Sequence, residues 1–279
     1  MTTVTPFGFR TEPGTRYEMP IVFGPSRIPT VSRWGYARAV DVSFVTIHDA
    51  IRPFVPIELD LPDEPVVTVS RRTFDQVDYL AGHGYEELCI GVGVSHQSTG
   101  DAERGLYWLA MWVDQVHPII AGREITGYPK LGAEFPPLEE RNGSFTYDVR
   151  ELGSLLVHAS VVDAEPVAPD VLAAVNGAAA RTISYCSRYI PPIGGGDGLD
   201  QLTRSESGFA VTSYRRGSGS ITFGTPSWDD APQSATAVGA LAALPVVRVR
   251  SGSVIEGNSW FDRSTVTALP RLGATHHEP

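Results

Sequence analysis

The sequence predicts a mainly β protein, built from antiparallel strands with a few short helices. Segments of alternating or β-branched residues recur along most of the chain, and many of them end in Gly, Pro, Asn or Asp, which favour turns. Helical segments are few, and the regular alternation of strand and helix that marks a doubly wound fold is absent. These observations favour an antiparallel sheet over an α/β architecture.

The predicted strands share a period of two or a run of β-branched residues. They span residues 38–47, 66–73, 87–96, 106–114, 144–149, 154–163, 182–189, 208–214, 220–223, 246–254 and 259–265. Helices are predicted from prolines, an Asp cap and Ala-rich runs at residues 48–54, 118–125, 170–181 and 235–244. The divisions expected are a flexible arm, a single domain and a short tail, at residues 1–17, 18–272 and 273–279.

Composition limits the classes of function. The formal charge of −10 argues against a nucleic-acid partner, because phosphate binding depends on clustered Lys and Arg. No run approaches the roughly 20 apolar residues of a membrane span, and the start of the chain lacks the pattern of an export signal, so we expect a cytoplasmic protein without a membrane partner. Cys89 and Cys186 lie far apart and the seven His residues show no ligand spacing, so no metal site is expected.

Lys130 stands out in composition and in position. It is the only lysine among 22 Lys and Arg residues, and arginine cannot replace it as a nucleophile because a guanidinium stays protonated. Gly127 and Pro129 precede it and predict a stiff turn. Its neighbours are largely apolar or aromatic and predict burial: Trp108, Met111, Trp112, Ile119, Ile120, Tyr128 and Leu131.

Burial of this amine predicts a lowered pKa, because an apolar environment disfavours the ammonium form. A free lysine has a pKa of about 10.4, and lowering it to about 7 costs roughly 4.6 kcal/mol. A neutral amine can attack a ketone to form an iminium, which accepts the electrons of an adjacent C–C bond as that bond breaks. We therefore predict that Lys130 is a Schiff-base nucleophile activated by desolvation; the alternative is an ordinary exposed lysine after a turn.

The segment from Gly122 to Lys130, GREITGYPK, resembles the signature segment of the acetoacetate decarboxylase-like superfamily. Similarity extends back through residues 85–87 and 106–114, and more weakly to residues 49–56 and 246–272. The resemblance implies a β-barrel-like fold, Lys130 as the Schiff-base lysine, no cofactor and a homo-oligomer.

By position in this resemblance, Glu87 matches the acidic residue of the family's active site, and Glu86 is the nearby alternative. Strand alternation sends the two side chains to opposite faces, so only one of them should enter the pocket. Met111 and Tyr128 are expected to contact substrate. Arg123 and Glu124 are expected to brace the turn before the lysine. Glu87 could instead be a solvent-facing or Arg-paired strand residue.

The aromatic strand at residues 106–114 borders the lysine in the predicted pocket. Strict alternation sends Tyr107, Leu109 and Met111 to one face and Trp108, Ala110 and Trp112 to the other. One of these faces is expected to supply apolar pocket surface, with room for a substrate larger than acetoacetate.

The sequence also departs from the archetypal decarboxylase. Leu131 follows Lys130 where the archetype has a second lysine, so charge repulsion from a neighbour is unavailable. The archetype's pocket Arg and Glu align with Ala37 or Arg38 and with Ser70, and Arg38 serves as the substrate-binding cation if a shift of one residue is allowed. These changes favour imine chemistry in general over acetoacetate in particular.

The predicted function is a cofactor-independent lyase that forms a lysine Schiff base with a small oxo acid. The first prediction is decarboxylation of a β-keto acid. One alternative is an aldolase-dehydratase that condenses pyruvate with an aldehyde, as some members of the superfamily do. The other is a noncatalytic protein that keeps the fold and binds a small molecule.

Overall fold

Strands dominate the residues that the computed structural model describes, which are 3–4, 10–96 and 102–271. The strands, in chain order, are β1 (Thr3–Val4), β2 (Arg10–Thr11), β3 (Val31–Val45), β4 (Leu59–Asp60), β5 (Val66–Val77), β6 (Tyr85–His96), β7 (Glu103–Val113), β8 (Lys130–Gly132), β9 (Glu139–Arg141), β10 (Ser144–Glu151), β11 (Ser154–Pro166), β12 (Thr182–Ile190), β13 (Leu199–Phe223) and β14 (Arg248–Leu269). The predicted tail and part of the predicted arm lie outside the described residues, and the division into arm, domain and tail stays a prediction.

Helices are short and lie at the positions that the sequence predicts. They are α1 (His48–Ile51), α2 (Val116–Ala121), α3 (Pro169–Ala179) and α4 (Ala235–Ala242). One π-helical turn, Gly122–Thr126, continues α2, and 3-10 turns occupy Ile21–Phe23, Arg52–Phe54 and Asp78–Leu80. Within the described part of the chain, no helix has the length and apolar character needed to cross a membrane.

Seven of the strands close into a barrel. Their order is β12-β7-β6-β5-β3-β14-β13, and β13 pairs with β12 again to complete the circle. All neighbours run antiparallel except β12 and β7, which run parallel. The predicted fold class, antiparallel and barrel-like with a few short helices, is confirmed.

The sheet extends beyond the barrel because β13 is long enough to pair with barrel strands along one part and with strands outside the barrel along another. The first part of its 25 residues pairs with β12, and the last part pairs with β11, from which the sheet continues through β10 to β9. Residues on the outward face of the barrel, such as Phe44, Ile90 and Trp112, pack against this extension and α4 in the largest apolar core. Packing on the outside leaves the inward face of the barrel free for a cavity.

Two strand boundaries were predicted wrongly. Residues 208–214 and 220–223 belong to the single strand β13, and residues 246–254 and 259–265 belong to the single strand β14. A Cβ atom at Gly217 would lie 2.2 Å from the Val162 carbonyl oxygen, and one at Gly257 would lie 2.0 Å from that of Ala210. These glycines therefore permit close approach of neighbouring strands, a role that the sequence pattern alone does not separate from a turn.

The barrel closes on very few backbone pairs. β12 and β7 share only the pairs of Ser184 with Leu106 and Tyr185 with Tyr107. Side chains reinforce this seam, because Arg204 on β13 donates to both carboxylate oxygens of Glu103 on β7, at 2.7 and 2.9 Å. The Tyr185 hydroxyl on β12 donates to the same carboxylate at 3.0 Å. All three strands of the seam are thus joined through one glutamate.

Glu206 completes the network and makes barrel closure sensitive to acid. Hydrogen bonds from Arg181 and Arg204 lower the pKa of Glu206 to about 2 from an ordinary value of 4.5. A carboxylate with a lowered pKa stabilises the fold above its ordinary pKa, and that stabilisation disappears as the pH falls towards the lowered value.

We expect Glu206→Gln to lower the free energy of unfolding at neutral pH by about 1–2 kcal/mol, since the network is partly exposed and screened. The difference from wild type should shrink as the pH falls from about 4.5 to about 2. Urea unfolding at a series of pH values measures both quantities. The exposed Glu165 on β11, changed to Gln, is the matched control. A difference that is the same at every pH would contradict this electrostatic role.

Candidate active site

The barrel encloses a cavity of about 250 Å³. Each of the seven barrel strands contributes lining residues, so the cavity is the interior of the barrel. Much of the wall is aromatic: Trp34, Phe74, Tyr79, Tyr85, Trp108, Tyr128, Phe209, Trp260 and Phe261. Lys130 and Glu87 lie in the same wall.

The backbone around Lys130 is fixed on both sides. The π-helical turn ends at Gly127, whose φ of 78° is left-handed, and the chain then enters β8 at Lys130. β8 pairs parallel with β7, where Met111 is the partner of Lys130. Arg123 donates to the Lys130 carbonyl oxygen at 2.8 Å, and the Glu124 carbonyl oxygen accepts from Arg188 at 2.8 Å. The turn and strand therefore set where the lysine side chain starts.

Gly127 is a position in this turn where an added side chain has no room. A Cβ atom there would lie 2.4 Å from the Cβ of Arg188, and the left-handed backbone is strained for any L-residue.

We expect Gly127→Ala to lower stability by about 2–4 kcal/mol, from about 1–2 kcal/mol of backbone strain plus the clash. Denaturant unfolding measures the loss. The control is Gly153→Ala, because Gly153 has a similar φ of +81° but nothing within 4 Å of the added Cβ. Equal losses in the two variants would show that the contact with Arg188 is unimportant.

Lys130 and Glu87 form a buried ion pair. The Lys130 Nζ lies 2.6 Å from the Glu87 Oε2, and the two side chains are 9% and 6% exposed. The other Glu87 oxygen, Oε1, accepts from the Cys89 thiol at 2.9 Å. Aromatic rings complete the enclosure, since the Nζ lies 5.6 Å from the ring centre of Tyr128 and 5.9 Å from that of Tyr85. A carboxylate and two ring faces thus surround the amine.

The charge state of Lys130 differs from the sequence-based prediction. Burial by itself lowers the pKa of Lys130, but the Glu87 carboxylate acts in the opposite direction, and the pKa lies above the ordinary value. Burial likewise acts to raise the pKa of Glu87, but Lys130 and Arg72 bring it below its ordinary value. The prediction that desolvation makes Lys130 neutral is therefore wrong: the burial is present, but its effect is outweighed by the adjacent counter-charge.

Removing the Glu87 charge should reverse the direction of the shift. We expect Glu87→Gln to lower the pKa of Lys130 below that of the wild type, because burial remains while the favourable carboxylate is lost. Lysine labelled with ¹³C next to Nζ gives a single side-chain NMR signal, since the chain has one lysine.

The control for this titration is Glu86→Gln, which changes the neighbouring residue and should leave the Lys130 signal unchanged. A pKa in Glu87→Gln that equals or exceeds that of the wild type would contradict the assigned cause.

Glu86 lies outside the cavity, so its predicted contact with substrate is not supported by its position. Its Oε2 accepts from the Arg71 Nε at 3.0 Å and from the Thr73 hydroxyl at 3.1 Å. Strand alternation sends Glu86 and Glu87 to opposite faces of β6, as the sequence predicts, and the inward face receives Glu87.

A bulge in β7 changes which aromatic residues face the lysine. Ala110 pairs with Ile90 and Trp108 pairs with the next residue, Gly91, so Leu109 has no partner in the ladder. Trp108 and Met111 consequently both line the cavity, although strict alternation assigns them to opposite faces. The prediction that Trp108 and Met111 lie on opposite faces is wrong, because the extra residue of the bulge shifts the alternation by one residue. Tyr128, also expected at substrate, lines the cavity as well.

Arginine side chains in the cavity differ in how they are engaged. Arg38 lines the cavity as expected, but its NH1 group lies 3.4 Å from a carboxylate oxygen of Glu140. Arg72 was not predicted: its Nε donates to the Ser70 hydroxyl at 3.2 Å, and its guanidinium lies 5.1 Å from the Trp108 ring centre. The period of two along β5 places Arg72 between Ser70 and Phe74 on the inward face, and this signal could have identified it.

A metal centre is not formed by the side chains that the structure describes. In residues 3–4, 10–96 and 102–271, no group of three or more His, Cys, Asp or Glu side chains is arranged to hold a metal ion. The polar groups that line the cavity are an amine, carboxyls, guanidiniums and hydroxyls.

The chain is therefore a closed β-barrel protein whose aromatic cavity contains a buried lysine paired with a glutamate. The chain belongs to the acetoacetate decarboxylase family, because the family described as Acetoacetate decarboxylase (ADC) matches residues 18–267. Acetoacetate decarboxylase 3 from Mesorhizobium japonicum is 26% identical over 189 residues, covering 67% of this chain and 69% of that protein. The predicted resemblance is confirmed.

Solved structures share the fold at low sequence identity. Acetoacetate decarboxylase from Legionella pneumophila has a TM-score of 0.70 and 21% identity, covering 90% of this chain and 93% of its own. An acetoacetate decarboxylase-like enzyme from Sphingomonas wittichii RW1 has a TM-score of 0.68 and 17% identity, covering 93% and 99%. The enduracididine biosynthesis enzyme MppR, complexed with pyruvate, has a TM-score of 0.64 and 19% identity, covering 92% and 98%.

Proposed function

We propose that this chain is a lyase in which Lys130 forms a Schiff base with the keto group of a small oxo acid. The observation that carries the proposal is the 2.6 Å pair of Lys130 and Glu87 inside the cavity. Membership of the acetoacetate decarboxylase family supports it. In this scheme no cofactor is required, because the iminium itself accepts electrons. A homo-oligomeric state and a cytoplasmic location stay predictions.

The pair contains the protons that imine formation needs. Transfer of one proton from Lys130 to Glu87 gives a neutral amine and a carboxylic acid. The amine attacks the keto carbon while Glu87 returns the proton to the carbonyl oxygen. Two of the three ammonium protons then leave with that oxygen as water, and the iminium keeps the third proton and the positive charge. The negative Glu87 therefore balances both the starting ammonium and the product iminium.

Decarboxylation of a β-oxo acid is the first candidate outcome. The bond to the carboxylate breaks, CO₂ leaves and the electron pair moves to the iminium nitrogen, which gives a neutral enamine. The enamine carbon takes a proton that Glu87 has first accepted from solvent, which regenerates an iminium, and water hydrolyses this iminium to release the ketone and restore Lys130. The similarity to Acetoacetate decarboxylase 3 supports this outcome.

Condensation of pyruvate with an aldehyde is the second candidate. The pyruvate iminium loses a methyl proton to Glu87, and the resulting enamine attacks the aldehyde carbon while Glu87 returns the proton to the aldehyde oxygen. The new hydroxyl then leaves as water with a second proton from the same carbon that lost the first. Hydrolysis of the iminium releases the enone and restores Lys130. Leu131 favours this candidate, because it stands where the archetypal decarboxylase has a second lysine. The similarity to MppR agrees with it, since that enzyme is also known in complex with the condensation product of pyruvate and imidazole 4-carboxaldehyde.

Reductive trapping tests the Schiff base directly. We expect borohydride, added with acetoacetate or pyruvate, to fix an adduct on Lys130 that mass mapping identifies, because hydride reduces the iminium to a stable amine. Lys130→Arg should give no adduct at this position. Glu87→Gln should slow trapping about 10²- to 10⁴-fold by removing the proton-transfer group, whereas Glu86→Gln should trap at the wild-type rate.

The outcome of trapping separates catalysis from the noncatalytic alternative. A folded wild-type protein that binds oxo acids but yields no adduct with any of them would be a binding member of the fold. Where an adduct forms, release of CO₂ from acetoacetate identifies the first candidate. A condensed enone from pyruvate and an aldehyde identifies the second.

A further inference from the structure

We propose that Arg72 binds the carboxylate of the substrate oxo acid. This inference rests on the proposed function, in which the cavity receives an oxo acid at Lys130. It assigns the substrate-binding cation to β5, whereas the sequence predicts Arg38 on β3.

Three arginines line the cavity, and two of them are engaged elsewhere. Arg38 contacts Glu140 of the exposed strand β9 through NH1 at 3.4 Å, although its Nε has no hydrogen-bond partner among the described residues, so Arg38 is the competing cation in the test below. Arg263 donates from NH1 to the Pro29 carbonyl oxygen at 3.0 Å and also to Ser32, so it holds the chain before β3 against the barrel. An arginine whose hydrogen bonds secure the protein chain has less capacity for a ligand.

Arg72 is held in place but keeps its terminal nitrogens available. Its Nε donates to Ser70, and its guanidinium lies over Trp108. Among the described residues, the terminal nitrogens of Arg72 make no hydrogen bond. Because two parallel N–H groups of a guanidinium match the two oxygens of a carboxylate, Arg72 is suited to bind a carboxylate.

The carboxylate directly opposite Arg72 is committed to other partners. On the adjacent strand Glu87 stands directly opposite Arg72, but its two oxygens are taken by Lys130 and Cys89. Asp41 also lies near Arg72, and its Oδ1 has no hydrogen-bond partner among the described residues. Burial raises the pKa of the Asp41 carboxyl, which favours its uncharged form over an ion pair with Arg72. A further anion can therefore approach Arg72 without displacing Glu87 from its partners.

The position of Arg72 in the sheet also fits a ligand that reaches the lysine. Arg72 pairs with Glu87 across β5 and β6, and Glu87 contacts the Lys130 Nζ. Cβ atoms of directly opposed residues lie about 4.5–5.5 Å apart. A small oxo acid can therefore present its keto carbon to Lys130 and its carboxylate to Arg72 within one chamber.

Two probes that differ in charge test the proposal by trapping. Pyruvate and methyl pyruvate share the ketone, but only pyruvate has a carboxylate. We expect Arg72→Gln to raise the half-saturating concentration of pyruvate about 10- to 100-fold and that of methyl pyruvate less than about 2-fold, because a charge-assisted ion pair is lost for one probe alone. The exposed Arg33 on β3, changed to Gln, removes the same net charge outside the cavity and should change neither value.

Arg72→Lys keeps the measurement informative if Arg72→Gln does not fold. It retains the charge but not the paired N–H groups, so we expect an intermediate weakening for pyruvate. Equal weakening of both probes in the Arg72 variants, or selective weakening for pyruvate in Arg38→Gln and not in Arg72→Gln, would overturn the proposal.

Calorimetric titration with propanoate tests Arg72 without any imine. Propanoate has a carboxylate but no ketone, and propanamide is its neutral control. We expect propanoate to bind the wild type and to lose about 10- to 100-fold in affinity in Arg72→Gln, with propanamide showing no such preference. Propanoate binding that depends on Arg72, together with no trapped adduct, would reject the Schiff base and keep the anion site. Binding that is unchanged in Arg72→Gln would reject the anion site and leave the Schiff base intact.

Discussion

The pairing of Lys130 with Glu87 is the constraint on which the rest of the site depends. Moving either charge out of water costs several kcal/mol, and their attraction offsets this only when the geometry is close and the remaining lone pairs are satisfied. The structure meets both conditions through different strands, since β8 carries Lys130, β6 carries Glu87, and Cys89 satisfies the second glutamate oxygen. The closed barrel, the π-helical turn and the aromatic wall all act by keeping these two groups together and away from solvent.

The charge on the lysine nitrogen is the same before and after the proposed imine formation, so the same surrounding groups suit both forms. In the proposed reaction the ammonium and the iminium both carry one positive charge on the same nitrogen, so Glu87 and the ring faces of Tyr85 and Tyr128 would stabilise both states. The neutral enamine and the neutral amine lose that stabilisation. Whether the amine can attack a ketone therefore depends on whether Lys130 or Glu87 holds the shared proton. Desolvation alone would favour the neutral amine at rest, whereas the counter-charge keeps the resting amine protonated until a proton moves to Glu87.

The sequence predicts the position of Lys130 well because the signals are local: Gly127 and Pro129 define the turn and a run of apolar neighbours indicates burial. Closure of the barrel is not local, since it depends on two residue pairs between β7 and β12, about 80 residues apart. No residue type in the sequence marks the bulge at Leu109. Strict alternation therefore could not predict that Trp108 and Met111 face the same side of β7. Choosing Glu87 over Glu86 required knowing which face of β6 turns towards Lys130, a contact between residues that are 43 apart in the sequence.

A carboxylate held by Arg72 also bears on which reaction follows imine formation. When CO₂ leaves, the carboxylate loses its charge, so an ion pair to the departing group stabilises the bound substrate more than the transition state and slows the step. In condensation the carboxylate is retained, and the same ion pair orients the enamine without opposing the chemistry. A β-oxo acid would decarboxylate efficiently only if its carboxylate turned away from Arg72. With Leu131 in place of a second lysine, Arg72 therefore shifts the balance of the two candidates towards the reaction that keeps the carboxylate.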